Sequence, residues 1–286
     1  MEKVKIIECP RDAMQGITEF IPTEKKISYI NQLLKCGFDT IDFGSFVSPK
    51  AIPQMRDTAE VLESLDLGAG NSKLLAIVAN TRGAEDACRF EEIDFLGFPF
   101  SISETFQQRN TNSSIAESMV RVQEIQNLCV KHNKQLVVYI SMAFGNPYGD
   151  PWNSDVALHW VKELHEKQGI KIMALSDTIG VSDPENIRYM FSSLIPAFGK
   201  VEFGAHLHTT PDKWEEKVHA AWQSGCRRFD GAIKGFGGCP MATDKLTGNM
   251  PTEQMLIYFN KHKIETGVSE KEFAAAMAMT GEVFPH

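Results

Sequence analysis

The stretch KIMALSDTIGVSDPENIRYMFSSLIPAFGKVEFGAHLH, residues 171–208, contains one complete strand–helix–strand unit. Its first residues, 171–178, and its last, 202–208, are short apolar runs of the length that a strand takes. Between them, Asp183 followed by Pro184 is a typical helix start, because aspartate caps the first turn and proline fits the first helical position. Apolar residues then recur at helical spacing, at Ile187, Met190, Phe191 and Leu194. The stretch therefore predicts one βα unit followed by the next strand.

The same pattern recurs along the rest of the chain. Eight apolar or β-branched runs are predicted as strands, at 4–8, 40–45, 73–79, 93–98, 134–142, 171–178, 202–208 and 228–233. Most of these runs are continuous rather than alternating, which is typical of a parallel sheet covered on both faces. Eight alternations of strand and helix in 286 residues favour an α/β fold of the closed (β/α)₈ barrel type over an open doubly wound sheet.

No linker rich in proline, glycine or serine divides the chain, so we predict a single domain over residues 1–286. The barrel would occupy about residues 4–250. The segment 251–286 contains the helical run EKEFAAAMAM and would form a C-terminal helical extension across one end of the barrel.

Composition excludes several classes of protein. Hydrophobic residues make up 43% and charged residues 23%, which is ordinary for a globular protein. The net charge of −8 argues against nucleic acid as a partner, since nucleic-acid binders carry a basic surplus. The six cysteines form no metal-binding or disulfide pattern. With neither a signal region nor an apolar stretch of about 20 residues, we expect a cytoplasmic protein without membrane contact.

Ionisable residues cluster where predicted strands end. Arg11 and Asp12 follow the first strand, Asp42 lies in the second and Asp177 in the sixth. Catalytic groups of such barrels lie at the carboxyl ends of the strands, so we expect these side chains to share one rim. Asp177 has an alternative interpretation as a cap for the turn that follows it.

The His206-Leu-His208 segment is the most informative of these sites. Side chains two apart on a strand point the same way, so both imidazoles would face one side. With Asp12 brought close by closure of the barrel, they would suit a divalent metal ion. The alternative is a pair of hydrogen-bonded histidines at a strand end. Since no GxGxxG or phosphate loop follows a strand, we expect no nucleotide cofactor.

A glycine-rich loop, Gly235-Phe-Gly-Gly-Cys-Pro240, follows the eighth strand. Glycines suit a loop that closes on a substrate, and this one would carry the thiol of Cys239 to the chemistry. The alternative is a small residue packed in a turn.

Several blocks together resemble the 3-hydroxy-3-methylglutaryl-CoA lyase family, within the metal-dependent lyases and Claisen-type synthases on TIM barrels. The resemblance runs from about residue 4 to residue 270. The blocks that carry it are Pro10-Arg-Asp-Ala-Met-Gln15, Ser45-Phe-Val-Ser-Pro-Lys50, Ser176-Asp-Thr-Ile-Gly-Val181, His206-Leu-His208, Gly235-Phe-Gly-Gly-Cys-Pro240 and Thr247-Gly-Asn249.

The resemblance implies metal-assisted cleavage of 3-hydroxy-3-methylglutaryl-CoA, or a close hydroxyacyl-CoA, to acetyl-CoA and acetoacetate. It implies four ligands for Mg²⁺ or Mn²⁺, at Asp12, His206, His208 and Asn249. It implies that Arg11 stabilises the enolate oxygen, that Cys239 protonates the enolate carbon, and that Asp177 is a second site carboxylate. Asp42 would lie near the reacting hydroxyl, and either His206 or Asp42 would be the general base. A homodimer and a place in leucine breakdown are also expected.

The chain departs from the family pattern at several points. Asp42 stands where the family usually has glutamate, so its carboxyl group is one methylene shorter. The cysteine signature, Ala232-Ile-Lys-Gly-Phe-Gly-Gly-Cys-Pro-Met241, also has unusual flanking residues. The alternatives are a Claisen-type acyl-CoA/2-oxo acid synthase, a 4-hydroxy-2-oxoacid aldolase, a barrel that binds without turnover, and a cysteine hydrolase. Cys239 favours the lyase over the first two.

Overall fold

Each strand of the sheet pairs in parallel with the next strand along the chain, and the last pairs with the first. The computed structural model describes residues 2–238 and 247–284. Its strands are β1 (Lys5–Glu8), β2 (Thr40–Ser45), β3 (Lys73–Ile77), β4 (Ile93–Ser101), β5 (Gln135–Ser141), β6 (Ile172–Asp177), β7 (Glu202–Leu207) and β8 (Arg228–Gly231). All eight coincide with predicted strands, and the predicted fold class, a (β/α)₈ barrel, is confirmed.

Helices surround the barrel. They are α1 (Pro10–Gln15), α2 (Thr23–Cys36), α3 (Thr58–Glu63), α4 (Thr81–Ala87), α5 (Glu104–Thr111), α6 (Ile115–Lys131), α7 (Ser154–Gln168), α8 (Pro184–Ala197), α9 (Trp214–Gln223), α10 (Thr252–Lys261) and α11 (Glu270–Val283). In α8 the side chain of Asp183 accepts hydrogen bonds from the backbone N–H groups of Glu185 and Asn186, as its sequence predicts. Its four predicted apolar residues are all fully buried.

The two faces of the strands build two cores. Alternate residues of β3, β5 and β6 form a separate apolar cluster that includes Leu75, Val137 and Ala174, while their neighbours pack outwards against the helices. On β8, Phe229 belongs to the outer core, so Arg228 and Asp230, which alternate with it, face the barrel interior. The interior is therefore apolar beside β3 to β6 and polar beside β8.

The C-terminal segment does not cross one end of the barrel as expected. Its last helix, α11, runs along the side of the barrel against α2. The backbone N–H of Ser269 donates to the carbonyl oxygen of Cys36 at the end of α2. The ring of Phe284 meets that of Tyr29 in the middle of α2, with centroids 5.7 Å apart. Apolar residues of both helices belong to the same core, among them Leu33 of α2 and Ala276 and Val283 of α11, and this packing accounts for the position. The helix that follows β8 is α10.

Candidate active site

A cavity of about 600 Å³ opens at the carboxyl end of the barrel. Its lining includes Arg11, Asp12, Tyr139, His206 and His208, which come from three different parts of the chain, namely α1, β5 and the end of β7. Residues of α5 and α6 and of the loops after β2 and β3 form the rest of its wall. Of the ionisable residues predicted at the strand ends, Arg11, Asp12, His206 and His208 line this cavity, whereas Asp42 and Asp177 do not. The cavity lies where barrel enzymes carry their chemistry.

Asp12, His206 and His208 converge in this cavity. Each of them offers one ligand atom, and these three atoms all lie within 4.8 Å of one another. Asp12 reaches the site from α1, which begins directly after β1, and the two histidines come from the end of β7 and the residue after it. Closure of the barrel through β8 brings these elements together.

Asn249 also touches this group. Its amide Nδ2 donates to Asp12 Oδ2 at 2.7 Å and to the carbonyl oxygen of Phe236 at 2.8 Å. The backbone of Asn249 pairs with that of His208 in an isolated antiparallel bridge. The structure thus brings together all four residues expected to ligate a metal ion.

The donor atoms of the site fit a divalent cation. His208 Nδ1 is buried and has no hydrogen-bond partner among the residues that the structure describes, although a buried imidazole nitrogen normally has one. Burial, and then the nearby His206, lower the pKa of His208 to about 4, so its ring is neutral and free to ligate. Burial opposes ionisation of Asp12, yet Arg11 and the two histidines outweigh it and lower the pKa of Asp12. A metal ion requires this carboxylate and neutral imidazole.

Asp230, which was not predicted as a site residue from the sequence, fixes the orientation of the His206 ring. The Nδ1 atom of His206 lies 3.1 Å from Asp230 Oδ2, which leaves Nε2 as the nitrogen available to a ligand. Burial lowers the pKa of His206, but the hydrogen bond and charge of Asp230 outweigh it and raise that pKa. A carboxylate behind a ligating histidine is a common second partner in metal sites. The alternation of polar and apolar residues in β8 was the signal that could have identified it.

Arg11 joins two carboxylates. Its Nη2 lies 2.5 Å and its Nε 3.1 Å from Asp42 Oδ2, while its Nη1 lies 2.7 Å from Asp12 Oδ1. Gln15 completes the group by accepting from Arg11 Nη1 at 3.0 Å and donating to Asp12 Oδ1 at 2.8 Å. Arg11 is thereby held at the cavity wall from three sides, and Gln15, present in the motif but given no role from sequence, helps to hold it.

Asp42 lies behind Arg11 and does not line the cavity. Burial raises its pKa to about 6, although the charge and hydrogen bonds of Arg11 counteract this. In this position the carboxylate contacts the guanidinium rather than the cavity itself. Its expected place beside the reacting hydroxyl stays a prediction.

Asp177 is held by the loop after β6. Its oxygens accept from the backbone N–H groups of Val181 and Ser182, and Lys217 Nζ lies 2.8 Å from Oδ2. Lys217 is also fully buried and donates to the carbonyl oxygen of His208 at 2.8 Å. These contacts resemble the loop cap that was the alternative for Asp177, and its catalytic role stays a prediction.

The loop after β8 approaches the site closely. Gly237 has a φ of +94°, and a Cβ there would lie 2.6 Å from the carbonyl oxygen of Asp12 and 2.8 Å from Asn249 Nδ2. Only glycine fits this approach. Cys239 and the residues up to 246 lie outside the described residues, so the predicted position of the thiol stays a prediction. Within the described ranges, no helix is long and apolar enough to cross a membrane.

Comparisons with known proteins agree with this geometry. Residues 3–279 match the model of the family described as HMGL-like. Hydroxymethylglutaryl-CoA lyase YngG of Bacillus subtilis (strain 168) is 35% identical over 280 residues, which cover 96% of this chain and 91% of that protein. The 3-hydroxy-3-isohexenylglutaryl-CoA/hydroxymethylglutaryl-CoA lyase of Pseudomonas aeruginosa is 33% identical over 269 residues, covering 93% of this chain and 88% of that protein.

Solved structures give the same result. The HMG-CoA lyase of Acinetobacter baumannii, in complex with coenzyme A and 3-methylmalate, superposes with a TM-score of 0.91 at 29% identity, covering 99% of this chain and 92% of that one. The Bacillus subtilis HMG-CoA lyase superposes with a TM-score of 0.91 at 32% identity, covering 99% and 94%.

Proposed function

The chain belongs to the HMGL-like family, and from that premise we propose that it cleaves 3-hydroxy-3-methylglutaryl-CoA to acetyl-CoA and acetoacetate. The observation that carries the proposal is the convergence of Arg11 with the trio Asp12, His206 and His208 in one cavity. Relatives that are named as lyases of this substrate match nearly the whole chain, which supports the same substrate here. The enzyme is a carbon–carbon lyase.

Four residues would hold a divalent cation, namely Asp12, His206, His208 and Asn249. We propose Mg²⁺ or Mn²⁺, because carboxylate and amide oxygens suit hard cations. When bound, the cation would lower the pKa of the hydroxyl group of the substrate and so assist its deprotonation. The buried Nδ1 of His208, which lacks a hydrogen-bond partner within the described part of the chain, is the observation that most directly supports such a ligand.

The protein side chains account for the remaining steps. The C2–C3 bond of the substrate breaks once its hydroxyl proton is removed, and negative charge then develops on the thioester oxygen. Arg11 would stabilise that oxygen, because its cation is fixed in place by Asp42, Asp12 and Gln15 before the reaction begins. Of the two candidate bases, His206 lines the cavity, whereas Asp42 contacts Arg11 and does not line the cavity. Cys239 would protonate the enolate carbon.

The outer wall of the cavity supports an acyl-CoA substrate. Arg109 of α5 and Arg121 of α6 both line it, as do Asn80 and Asn112. The guanidinium groups of these two arginines would suit the phosphates of coenzyme A. One relative of known structure was solved with coenzyme A, and we propose that this chain binds the same group. We also propose a homodimer, a cytoplasmic location and a role in leucine breakdown.

The test is a product assay under matched conditions. The purified protein is given 3-hydroxy-3-methylglutaryl-CoA with Mg²⁺ or Mn²⁺, and acetoacetate is measured with and without EDTA. We expect acetoacetate production that depends on the metal.

In parallel, acetyl-CoA with 2-oxo acids tests synthase activity, and a 4-hydroxy-2-oxo acid tests for pyruvate release. Product in either of these reactions, with none from the hydroxyacyl-CoA, would contradict the proposal. The longer 3-hydroxy-3-isohexenylglutaryl-CoA is tested beside the methyl substrate.

A further inference from the structure

A second group of potential ligands shares His206 with the first. Cys9, His206 and Asp230 each offer one ligand atom, and these three atoms also lie within 4.8 Å of one another. Two adjacent strands fix the other two residues. Asp230 lies in β8 opposite Ile7 of β1, and the backbone N–H of Cys9, directly after β1, donates to Gly231 of β8 at 2.9 Å. The group is therefore built into the closure of the barrel rather than carried on a loop.

Two atoms of this group have unused bonding capacity. Asp230 bonds to His206 through Oδ2, while its Oδ1 is buried and has no hydrogen-bond partner among the described residues. Asp230 is only 2% exposed, so bulk water does not solvate this oxygen. The thiol of Cys9 donates to the carbonyl oxygen of Ile7 at 3.8 Å, which is long even for sulfur. A buried carboxylate oxygen without a partner is rare, and it leaves room for a bound water or ion.

We propose that Cys9, His206 and Asp230 form a second metal site, which takes a borderline-soft divalent ion such as Zn²⁺. Thiolate, imidazole and carboxylate together are the ligands that zinc prefers, whereas Mg²⁺ and Mn²⁺ bind thiolate poorly. On binding, the Cys9 thiol loses its proton to solvent, because the thiolate is the ligand. The Sγ–metal bond replaces the S–H bond, with no change in oxidation state.

Because both sites use His206, they cannot hold metal ions at the same time. Its Nδ1 faces Asp230, so an ion in the second site would take that nitrogen. A neutral imidazole carries one proton, which must then be on Nε2, and a protonated nitrogen cannot ligate. The first site thereby loses one of its proposed ligands. A soft ion in the second site would therefore inhibit the enzyme by withdrawing His206 from the first site. This consequence rests on the proposed function.

Cobalt(II) gives a direct test that does not depend on activity. A cobalt–thiolate bond produces a near-ultraviolet charge-transfer band that nitrogen and oxygen ligands do not produce. The protein, kept reduced by a phosphine, is titrated with Co²⁺ as wild type and as Cys9→Ser, Cys9→Ala, Cys239→Ser and Cys226→Ser. Cys226 is a matched control because it is as fully buried as Cys9 and lies just before β8. Circular dichroism establishes that each variant is folded.

We expect the band in the wild type and in the Cys226 and Cys239 variants, and its loss in both Cys9 variants. A band that persists without Cys9, a band lost only without Cys239, or no band at all would each overturn the proposal. A separate experiment tests whether occupation of one site excludes the other: lyase activity is measured in the presence of Mg²⁺ at increasing concentrations of Zn²⁺. Zinc should inhibit the wild type at lower concentrations than Cys9→Ser, and equal sensitivity would overturn the exclusion while leaving the proposed lyase function intact.

Discussion

Arg11 contacts three side chains through the three nitrogens of its guanidinium group, and no other type of side chain could make all of these contacts. Its guanidinium reaches Asp42 through two nitrogens and Asp12 and Gln15 through the third. Lysine keeps the charge but has a single nitrogen, so it cannot hold these partners at once. The position of the cation would then depend on a flexible chain rather than on three fixed contacts.

We therefore predict that Arg11→Lys lowers kcat by about 10²–10³-fold, the range for loss of a fixed donor to a developing oxyanion. KM should change much less, because the interaction is made mainly in the transition state. Steady-state kinetics with the hydroxyacyl-CoA measure both constants. Arg89→Lys, at an exposed position, is the matched control. A kcat near that of the wild type would mean that Arg11 does not face the reacting oxygen.

Asp230 should determine how well the first site holds its cation. Replacement by asparagine removes the charge that fixes the His206 ring and its tautomer. We expect the dissociation constant for Mn²⁺ to rise by about 10–100-fold, as for other partners of metal ligands. Electron paramagnetic resonance of free Mn²⁺ measures this constant, with Asp212→Asn as an exposed control. An unchanged constant would show that His206 is oriented without Asp230.

At the level of elements, Lys217 of α9 connects the ends of two strands. Its ammonium group contacts Asp177 at the end of β6 and the backbone oxygen of His208 just after β7. The side chains of Lys217 and Asp177 are both fully buried. Removing one member of such a pair leaves an uncompensated charge, whereas removing both does not.

Lys217→Met should lower the free energy of unfolding by about 3–5 kcal/mol. Adding Asp177→Asn to this variant should recover part of the loss, because the unpaired carboxylate is then gone. Chemical denaturation of the single and double variants measures both effects. Lys167→Met, on an exposed face of α7, is the control. A double variant less stable than Lys217→Met alone would contradict this account of the pair.

The elements also show what the sequence could and could not predict. The strands were identified correctly because buried parallel strands are continuous apolar runs, and α8 because Asp183 and Pro184 mark its start. The predicted position of α11, across one end of the barrel, was wrong, because a helical pattern does not specify which neighbour covers its apolar face. Residues at strand ends could be identified as a group, and the alternation of polar and apolar residues in β8 could have pointed to Asp230, but the partners of Asp230 and Lys217 could not be predicted. Their roles depend on partners that only the register of the barrel reveals.

At the level of the whole molecule, Glu8 links the closing strands of the barrel. Its carboxyl group accepts from the backbone N–H of Ile233 at 2.9 Å and from the hydroxyl of Thr252 at 2.6 Å, so β1 is tied to the segment after β8 and to α10. Burial raises the pKa of Glu8 from 4.5 to about 8, which means that the fold favours its protonated form.

The sign of the pH dependence follows from this raised pKa. The stability that Glu8 contributes is complete below 4.5 and is lost as the pH rises towards about 8, with a slope of at most about 1.4 kcal/mol per pH unit. Glu8→Gln can keep both hydrogen bonds without a charge. We expect its unfolding free energy, relative to that of the wild type, to increase across this range. Denaturation at several pH values tests this, with exposed Glu166→Gln as control. A difference that is independent of pH would contradict it.

The central claim is that one cation, held by Asp12, His206 and His208, enables this barrel to cleave 3-hydroxy-3-methylglutaryl-CoA. The most direct measurement is titration of metal-free protein with Mn²⁺, with bound metal and acetoacetate production followed in the same samples. We predict a rate that rises in proportion to bound Mn²⁺ and reaches its maximum at about one ion per chain, with neither binding nor rate in His208→Ala. Full activity in metal-free protein, or in His208→Ala, would contradict the account.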